Sequence, residues 1–216
     1  MTAPLPVIAI DGPAASGKST LARRLAAHFG FTHLNTGLLY RAVAFQLFRA
    51  GHSEADVEAA VTIAQALTPA DLDDPALASN ENGSNASKIA KIMPVREALI
   101  AYQRQFCGAP PGGRGAVLDG RDITTFIWPQ AEARLFCTAS PAERAHRRLK
   151  ELQSLGDSVT HEAILADLSA RDARDAANTP YTLKIAPGAY VLDTTHLDIA
   201  SAVAAAVQFV SPRIGL

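Results

Sequence analysis

The 216-residue sequence predicts an α/β fold: a mainly parallel sheet of about five strands flanked by helices, with a small helical subdomain attached. Three observations predict it. Short, continuous apolar runs recur along the chain, helical stretches alternate with them, and the first run passes through a glycine-containing loop straight into a helix. Apolar runs without polar alternation belong to strands buried on both faces, and a parallel sheet covered by helices is what buries them.

The first run is Val7-Ile8-Ala9-Ile10, stopped by Asp11-Gly12-Pro13. Ser19 to Phe29 then carries Leu21, Leu25 and Ala26 at helical spacing, with Gly30 as a C-cap. Runs of the same kind stand at Ala116 to Asp119, Arg134 to Cys137 and Tyr190 to Asp193, and a weaker one at Phe31 to Leu34. Between Thr36 and Gly113 the strand pattern is missing. Helical stretches around Ala55 to Leu67 and Val95 to Phe106, with a polar segment from Asp71 to Ser84 between them, read as a substrate-side helical subdomain with a mobile polar loop. From Ser140 to Asn178 two more helices flank a short turn, Ser154 to Ser158, at which the pair can hinge. The expected division is a sheet core of residues 1–35, 114–139 and 179–216, a subdomain of 36–113 and a helical pair of 140–178.

Composition narrows the function classes. With 20 Lys+Arg against 21 Asp+Glu the formal charge is −1, so no whole-molecule field would hold a nucleic acid. Fifteen of those cations are Arg, whose planar fork matches phosphate, although base composition of the genome would produce the same bias. Cys107 and Cys137 have no metal-type spacing, and the longest apolar window near the C-terminus, Ala202 to Val210, is too short to span a bilayer. The N-terminus has no basic segment of the signal-peptide kind. A soluble, cytoplasmic monomer that binds small molecules, with no membrane or nucleic-acid partner, is the expectation.

Gly12-Pro13-Ala14-Ala15-Ser16-Gly17-Lys18-Ser19 matches the phosphate-loop pattern in full, after a strand and before a helix. Its glycines let backbone N–H groups converge on phosphate oxygens, Lys18 reaches the β- and γ-phosphates, and Ser19, followed by Thr20, holds Mg²⁺ at the helix N-terminus. ATP as donor and Mg²⁺ as cofactor follow from it. Asp119-Gly120-Arg121-Asp122 ends another strand, hence lies on the same sheet edge: Asp119 can orient the metal through water, Arg121 can bind a phosphate and Asp122 a donor group. An ordinary strand-ending turn would use the same residue types. Arg144, Arg147 and Arg148 share one helix face, as do Arg171, Arg174 and Asp175. The first set suits a triphosphate or equally a solvated face; the second would suit a transferring phosphoryl group, but its spacing alone favours a surface ion pair.

These residues, with Thr36-Gly37-Leu38-Leu39-Tyr40-Arg41-Ala42, Ala86-Ser87-Lys88-Ile89-Ala90, Val95-Arg96, Gln103-Arg104 and Arg171-Asp172, resemble in order and over nearly the whole chain the bacterial cytidylate kinases. That resemblance implies a P-loop nucleoside monophosphate kinase that makes CDP from CMP and ATP, with an NMP-binding subdomain at 36–113 and a lid at 140–178. It implies a cytosine pocket of Ser87, Arg96 and Asp122, a CMP-phosphate clamp of Arg41 and Arg121, and contacts of Arg171 and Asp175 with the sugar. Thr36 and Tyr40 join the CMP side by the same resemblance, and Lys18, Arg121 and Arg147 are its expected catalytic residues. Three positions depart from the family pattern: Asn35 stands where it usually has Asp, Thr124 where it has Gly and Gln130 where it has Asp. A fourth, Asn178, stands where its base pocket usually has Arg, a charge that Lys184 could replace. Two alternatives stay open at this level: a P-loop kinase for another nucleotide or metabolite, and a nucleotide-binding protein without transferase activity.

Overall fold

The computed structural model describes residues 5–154 and 156–216, and all side chains among them except that of Asn178. The chain divides into two compact units, residues 1–34 with 109–216 and residues 35–108.

The first unit is built on strands β1 (Val7–Asp11), β2 (Thr32–Asn35), β3 (Ala116–Gly120), β4 (Ala133–Thr138) and β5 (Tyr190–Asp193). They form one sheet in the order β2-β3-β1-β4-β5, parallel in the β1–β3, β1–β4 and β4–β5 pairs. All five expected strands are present. Every residue of β1 and β3 is buried, as runs without polar alternation require. Ile8, Ile10, Val117, Leu135 and Leu192 pack with Leu21 and Leu25 of helix α1 (Lys18–Phe29) and Ala206 and Val210 of α8 (Ile199–Val210). Each such buried Ile or Leu contributes about 2 kcal/mol. Helices α6 (Pro141–Ser154) and α7 (His161–Asn178) belong to the same unit and bury Ala145, Leu152, Ile164 and Leu168 against Ala14. They meet at the predicted turn, of which Leu155 lies outside the described residues.

The second unit is helical: α2 (Thr36–Arg49), α3 (Val57–Ala66), α4 (Asn80–Ile89) and α5 (Met93–Gly108). Two of these differ from expectation. Helix α2 runs through the Thr36 to Ala42 motif, capped by Asn35, whose Oδ1 accepts the Gly37 N–H at 3.0 Å. Helix α4 begins inside the segment expected to be a mobile polar loop. The rest of that segment folds into 3₁₀ turns, Pro69–Leu72 and Pro75–Ala78, closed by Asp71 and Asp74 caps. Local side-chain caps supplied an order that a count of polar residues could not reveal.

No described helix is long and apolar enough to cross a membrane.

Candidate active site

The β1–β3 register pairs Ile10 with Asp119 and Asp11 with Gly120, so both strands end at one level and hand their loops to the same edge. This is the edge where open α/β sheets bind ligands. Gly12 leaves β1 at φ +154°, and a Cβ there would come within 2.0 Å of the Cys137 carbonyl oxygen; only glycine fits. Ala15 (φ 58°) and Gly17 (φ 88°) are left-handed, a turn that aims successive backbone N–H groups inward. Helix α1 starts with no side-chain cap and no acidic residue in its first turn. Ser16 Oγ is buried inside the loop without a hydrogen-bond partner. An uncapped helix N-terminus and an orphaned buried hydroxyl in one loop fit a phosphate.

Lys18 is buried, its Nζ donating to the loop's own Pro13 carbonyl at 2.9 Å. Burial, then repulsion from Arg121, pushes its pKa down from 10.5 to about 7, with Arg171 acting in the same direction. Arg171 is itself lowered, first by burial and then by Arg121, and its Nε has no hydrogen-bond partner. Arg121 Nε donates to Asp175 Oδ2 at 3.0 Å, and Arg171 Nε lies 4.0 Å from the same oxygen. Residues expected at a strand end (Arg121), on the phosphate loop (Lys18) and on α7 (Arg171, Asp175) are thus brought together. Three cations crowd together, Arg121 pushing the pKa of both neighbours down, an arrangement that favours an added polyanion.

Beside them Ser19 Oγ donates to Asp119 Oδ2 at 2.6 Å. A hydroxyl and a carboxylate are the hard oxygen donors that Mg²⁺ takes. Among the described residues no three His, Cys, Asp or Glu side chains form a metal cage, so a cation here would draw its other ligands from phosphate and water.

Helix α6 braces the loop from outside. Arg144, expected as a triphosphate contact, is committed internally: it is buried, pairs with Asp172 at 2.7 Å and donates to the Ala14 carbonyl at 3.2 Å. Arg147 donates to Thr194 Oγ1 at 2.9 Å and to the Thr194 carbonyl at 2.6 Å, touches the Ser16 carbonyl at 3.4 Å and pairs with Glu143 at 2.9 Å. Arg148 pairs with exposed Glu151 at 2.8 Å. Cys137 and Thr194 both reach the Ser16 carbonyl, at 3.1 and 3.0 Å, and went unnoticed in the sequence as site residues. The signal for Thr194 was available, since it follows a strand that ends on the same edge. A cavity of about 630 Å³ opens next to the loop, lined by Gly17, Thr20, Arg147, Leu197, Ile199 and Val203 among others, a size that suits a nucleoside.

Asp11 explains one departure from the family pattern. It is completely buried, and its carboxylate accepts the Ile123 N–H at 2.8 Å, the Thr124 N–H at 2.7 Å and the Thr124 hydroxyl at 2.6 Å. These bonds hold the single π-helical turn Ile123–Ile127 that follows Asp122. Burial still raises its pKa from 3.8 to about 6 against the pull of those bonds. The proton is therefore held by the native state between about pH 4 and 6, and Asp11's contribution to stability declines as pH rises through about 6. Thr124→Val removes a bond made chiefly to the ionised form, so its cost is expected to be about 2 kcal/mol at pH 8 and smaller at pH 5. Urea melts of both proteins at the two pH values check this; an equal cost at both would contradict it.

In the helical unit, Arg41 donates to the carbonyls of Leu77 and, at 3.0 Å, Ser79. A Cβ on Gly83 would meet its guanidinium at 2.5 Å, so Arg41 lies directly on α4. Ser87, buried one turn along α4, donates to the Gly83 carbonyl at 3.3 Å, and buried Arg96 donates to the Ala90 carbonyl at 3.4 Å. Thr36 is buried in the first turn of α2, which also carries Tyr40. Asn82, absent from the expected set, bonds the Arg41 and Leu77 carbonyls at 3.1 and 3.3 Å and so fixes the backbone beneath Arg41. Asn178, expected beside the base, has a side chain outside those described.

Residues 8–212 match the family model for cytidylate kinase. The chain is 52% identical to the cytidylate kinase of Bradyrhizobium sp. (strain ORS 278), over 94% of this chain and 95% of that protein. It is 51% identical to the cytidylate kinase of Paramagnetospirillum magneticum, over 96% and 98%, and 50% identical to that of Rhodopseudomonas palustris (strain TIE-1), over 94% and 95%. The match along almost the full chain, with about half the residues identical over nearly the whole of each relative, makes this protein a member of the cytidylate kinase family of nucleoside monophosphate kinases.

Proposed function

We propose that this chain phosphorylates CMP, and dCMP as well, by direct in-line transfer of the γ-phosphoryl group of ATP, as a cytoplasmic monomer. The observation that carries the reading is the gathering of Lys18, Arg121 and Arg171, in which burial and then Arg121 push the pKa of both Lys18 and Arg171 down, beside an uncapped helix N-terminus. Such cations repel each other until a group with several negative charges enters, and the charge on a transferring phosphoryl group is such a group.

Gly12 to Thr20 would hold the donor phosphates, Ala14 and Ala15 contributing backbone N–H groups and Pro13, which has none, shaping the turn, and the cavity at Thr20 and Ile199 the rest of the donor nucleotide. Mg²⁺, held by Ser19 and through water by Asp119, would neutralise charge on the donor phosphates. Lys18 would leave the Pro13 carbonyl for the phosphates. The acceptor phosphate is already ionised, so no side chain needs to act as a base. Arg41 and Arg121 would position it, and Arg171 with Asp175 would meet the sugar. Ser87, Arg96 and Asp122 would read the base, Asp122 by accepting from the exocyclic amine, with Thr36 and Tyr40 supporting the acceptor. Arg147 would act on the donor side, where its bonds to Ser16 and Thr194 already set the loop, and α6 with α7 would serve as the lid.

Asn35 caps α2 and Thr124 completes the Asp11 cluster, so two of the positions that depart from the family pattern have structural uses. An acceptor panel of CMP, dCMP, UMP and AMP with MgATP tests the reading. CMP is expected to have the highest kcat/KM, and UMP, which offers a carbonyl where Asp122 needs a donor, to fall lower on the order of 10²-fold. A flat or empty panel would overturn the assignment to CMP.

A further inference from the structure

Asp119 is almost completely buried and both its oxygens are engaged. Oδ2 accepts from Ser19 Oγ at 2.6 Å, and Oδ1 lies 2.6 Å from His33 Nε2. His33 stands on β2, the strand next to β3 in the sheet, so the contact crosses from one strand to its neighbour at the phosphate-binding edge. An ionised carboxylate only accepts, so His33 presents Nε2–H to it. The consequence for Ser19 is geometric. While its O–H is given to Asp119, its lone pairs are directed away from that carboxylate, on the side where a cation would take one.

We propose that His33 is a positioning residue for the metal site. By holding Oδ1 it fixes the plane of the Asp119 carboxylate and, through Oδ2, the rotation of the Ser19 hydroxyl, the two groups that would hold the cation through water and directly. Without that bond the carboxylate loses the contact that orients Oδ1, and the direction of both groups toward a cation is less closely set. The inference rests on the proposed reading of Ser19 and Asp119 as the metal side of the donor site. Outer partners of this kind typically change metal affinity 10–100-fold.

The test measures metal binding apart from turnover. Mn²⁺ binding to the enzyme with a non-hydrolysable ATP analogue is followed by electron paramagnetic resonance for the wild type, His33→Leu and His33→Gln. His33→Leu is expected to weaken Mn²⁺ binding on the order of 10-fold or more. It should raise the Mg²⁺ concentration needed for half-maximal activity by a similar factor and leave the KM for CMP unchanged. His33→Gln, which can present an amide N–H near the position of Nε2, is expected to restore most of the loss. Unchanged Mn²⁺ affinity in a folded His33→Leu overturns the proposal, and so does a His33→Gln as weak as His33→Leu. If His33→Leu does not fold, His33→Gln is compared with His33→Asn, whose shorter amide cannot reach Asp119; equal affinities then overturn it. Absence of a nucleotide-dependent Mn²⁺ site in the wild type would overturn the metal-site reading itself, a different result from a site that ignores His33.

Discussion

Lys18→Ala is expected to lower kcat on the order of 10³-fold or more while the protein stays folded, its stability within about 1 kcal/mol of the wild type. The size of the kinetic loss follows from what phosphoryl transfer asks of a protein. It needs charge placed where charge develops, and Lys18 is the buried cation nearest the helix terminus that would carry the phosphates. The small structural cost follows from the same crowding. Burial and Arg121 hold the Lys18 pKa near 7, so the native fold gains little from the ammonium, and its bond to the Pro13 carbonyl is a single contact. Steady-state kinetics with MgATP and CMP, alongside a thermal melt, measure both effects. Retention of most of the activity would show that the phosphoryl group does not pass Lys18.

Gly12→Ala is expected to act on structure first. The added methyl would lie 2.0 Å from the Cys137 carbonyl oxygen, a backbone atom of β4, the strand next to β1, at a φ of +154° that L side chains rarely adopt. Neither partner is the free end of a flexible side chain. Overpacking and backbone strain together cost about 3 kcal/mol or more. Either the melting temperature drops by many degrees, or the loop shifts away from Cys137 and titration calorimetry finds no ATP binding. Gly17→Ala is the comparison: its φ is +88°, but a Cβ there would meet only Arg147 Nη1, at 3.5 Å. Its penalty is the left-handed backbone alone, about 1 kcal/mol. Equal effects of the two substitutions would contradict the packing account of Gly12.

The departures at Asn35 and Thr124 show how a residue's meaning changes once its neighbours are known. Set against a family pattern, each is a lost motif residue. In the fold, Asn35 keeps the capping function that Asn and Asp share, and Thr124 adds a third donor to a buried carboxylate that would otherwise be under-satisfied. Arg144 changes in the opposite direction. Its spacing on α6 suggested a ligand contact, and the structure spends it on Asp172 and the Ala14 carbonyl, where it stiffens the loop that other residues would use.

Strand positions, the phosphate loop and the helix after it were legible because their causes are local. A continuous apolar run has one economical use, and Gly12, Gly17, Lys18 and Ser19 are specified by backbone geometry and charge within eight residues. Helices α2 and α4 were less legible, since α2 looked like a recognition motif and α4 starts in a segment whose order comes from short-range caps. The sequence by itself therefore determined the sheet, the loop and the chemical class of the ligand. Only the tertiary structure decided which charges meet. Arg121 with Asp175, Asp119 with His33, and Ser16 with Thr194 are separated by 54, 86 and 178 residues. Pairings over such distances are set by strand order and register, which no local pattern encodes.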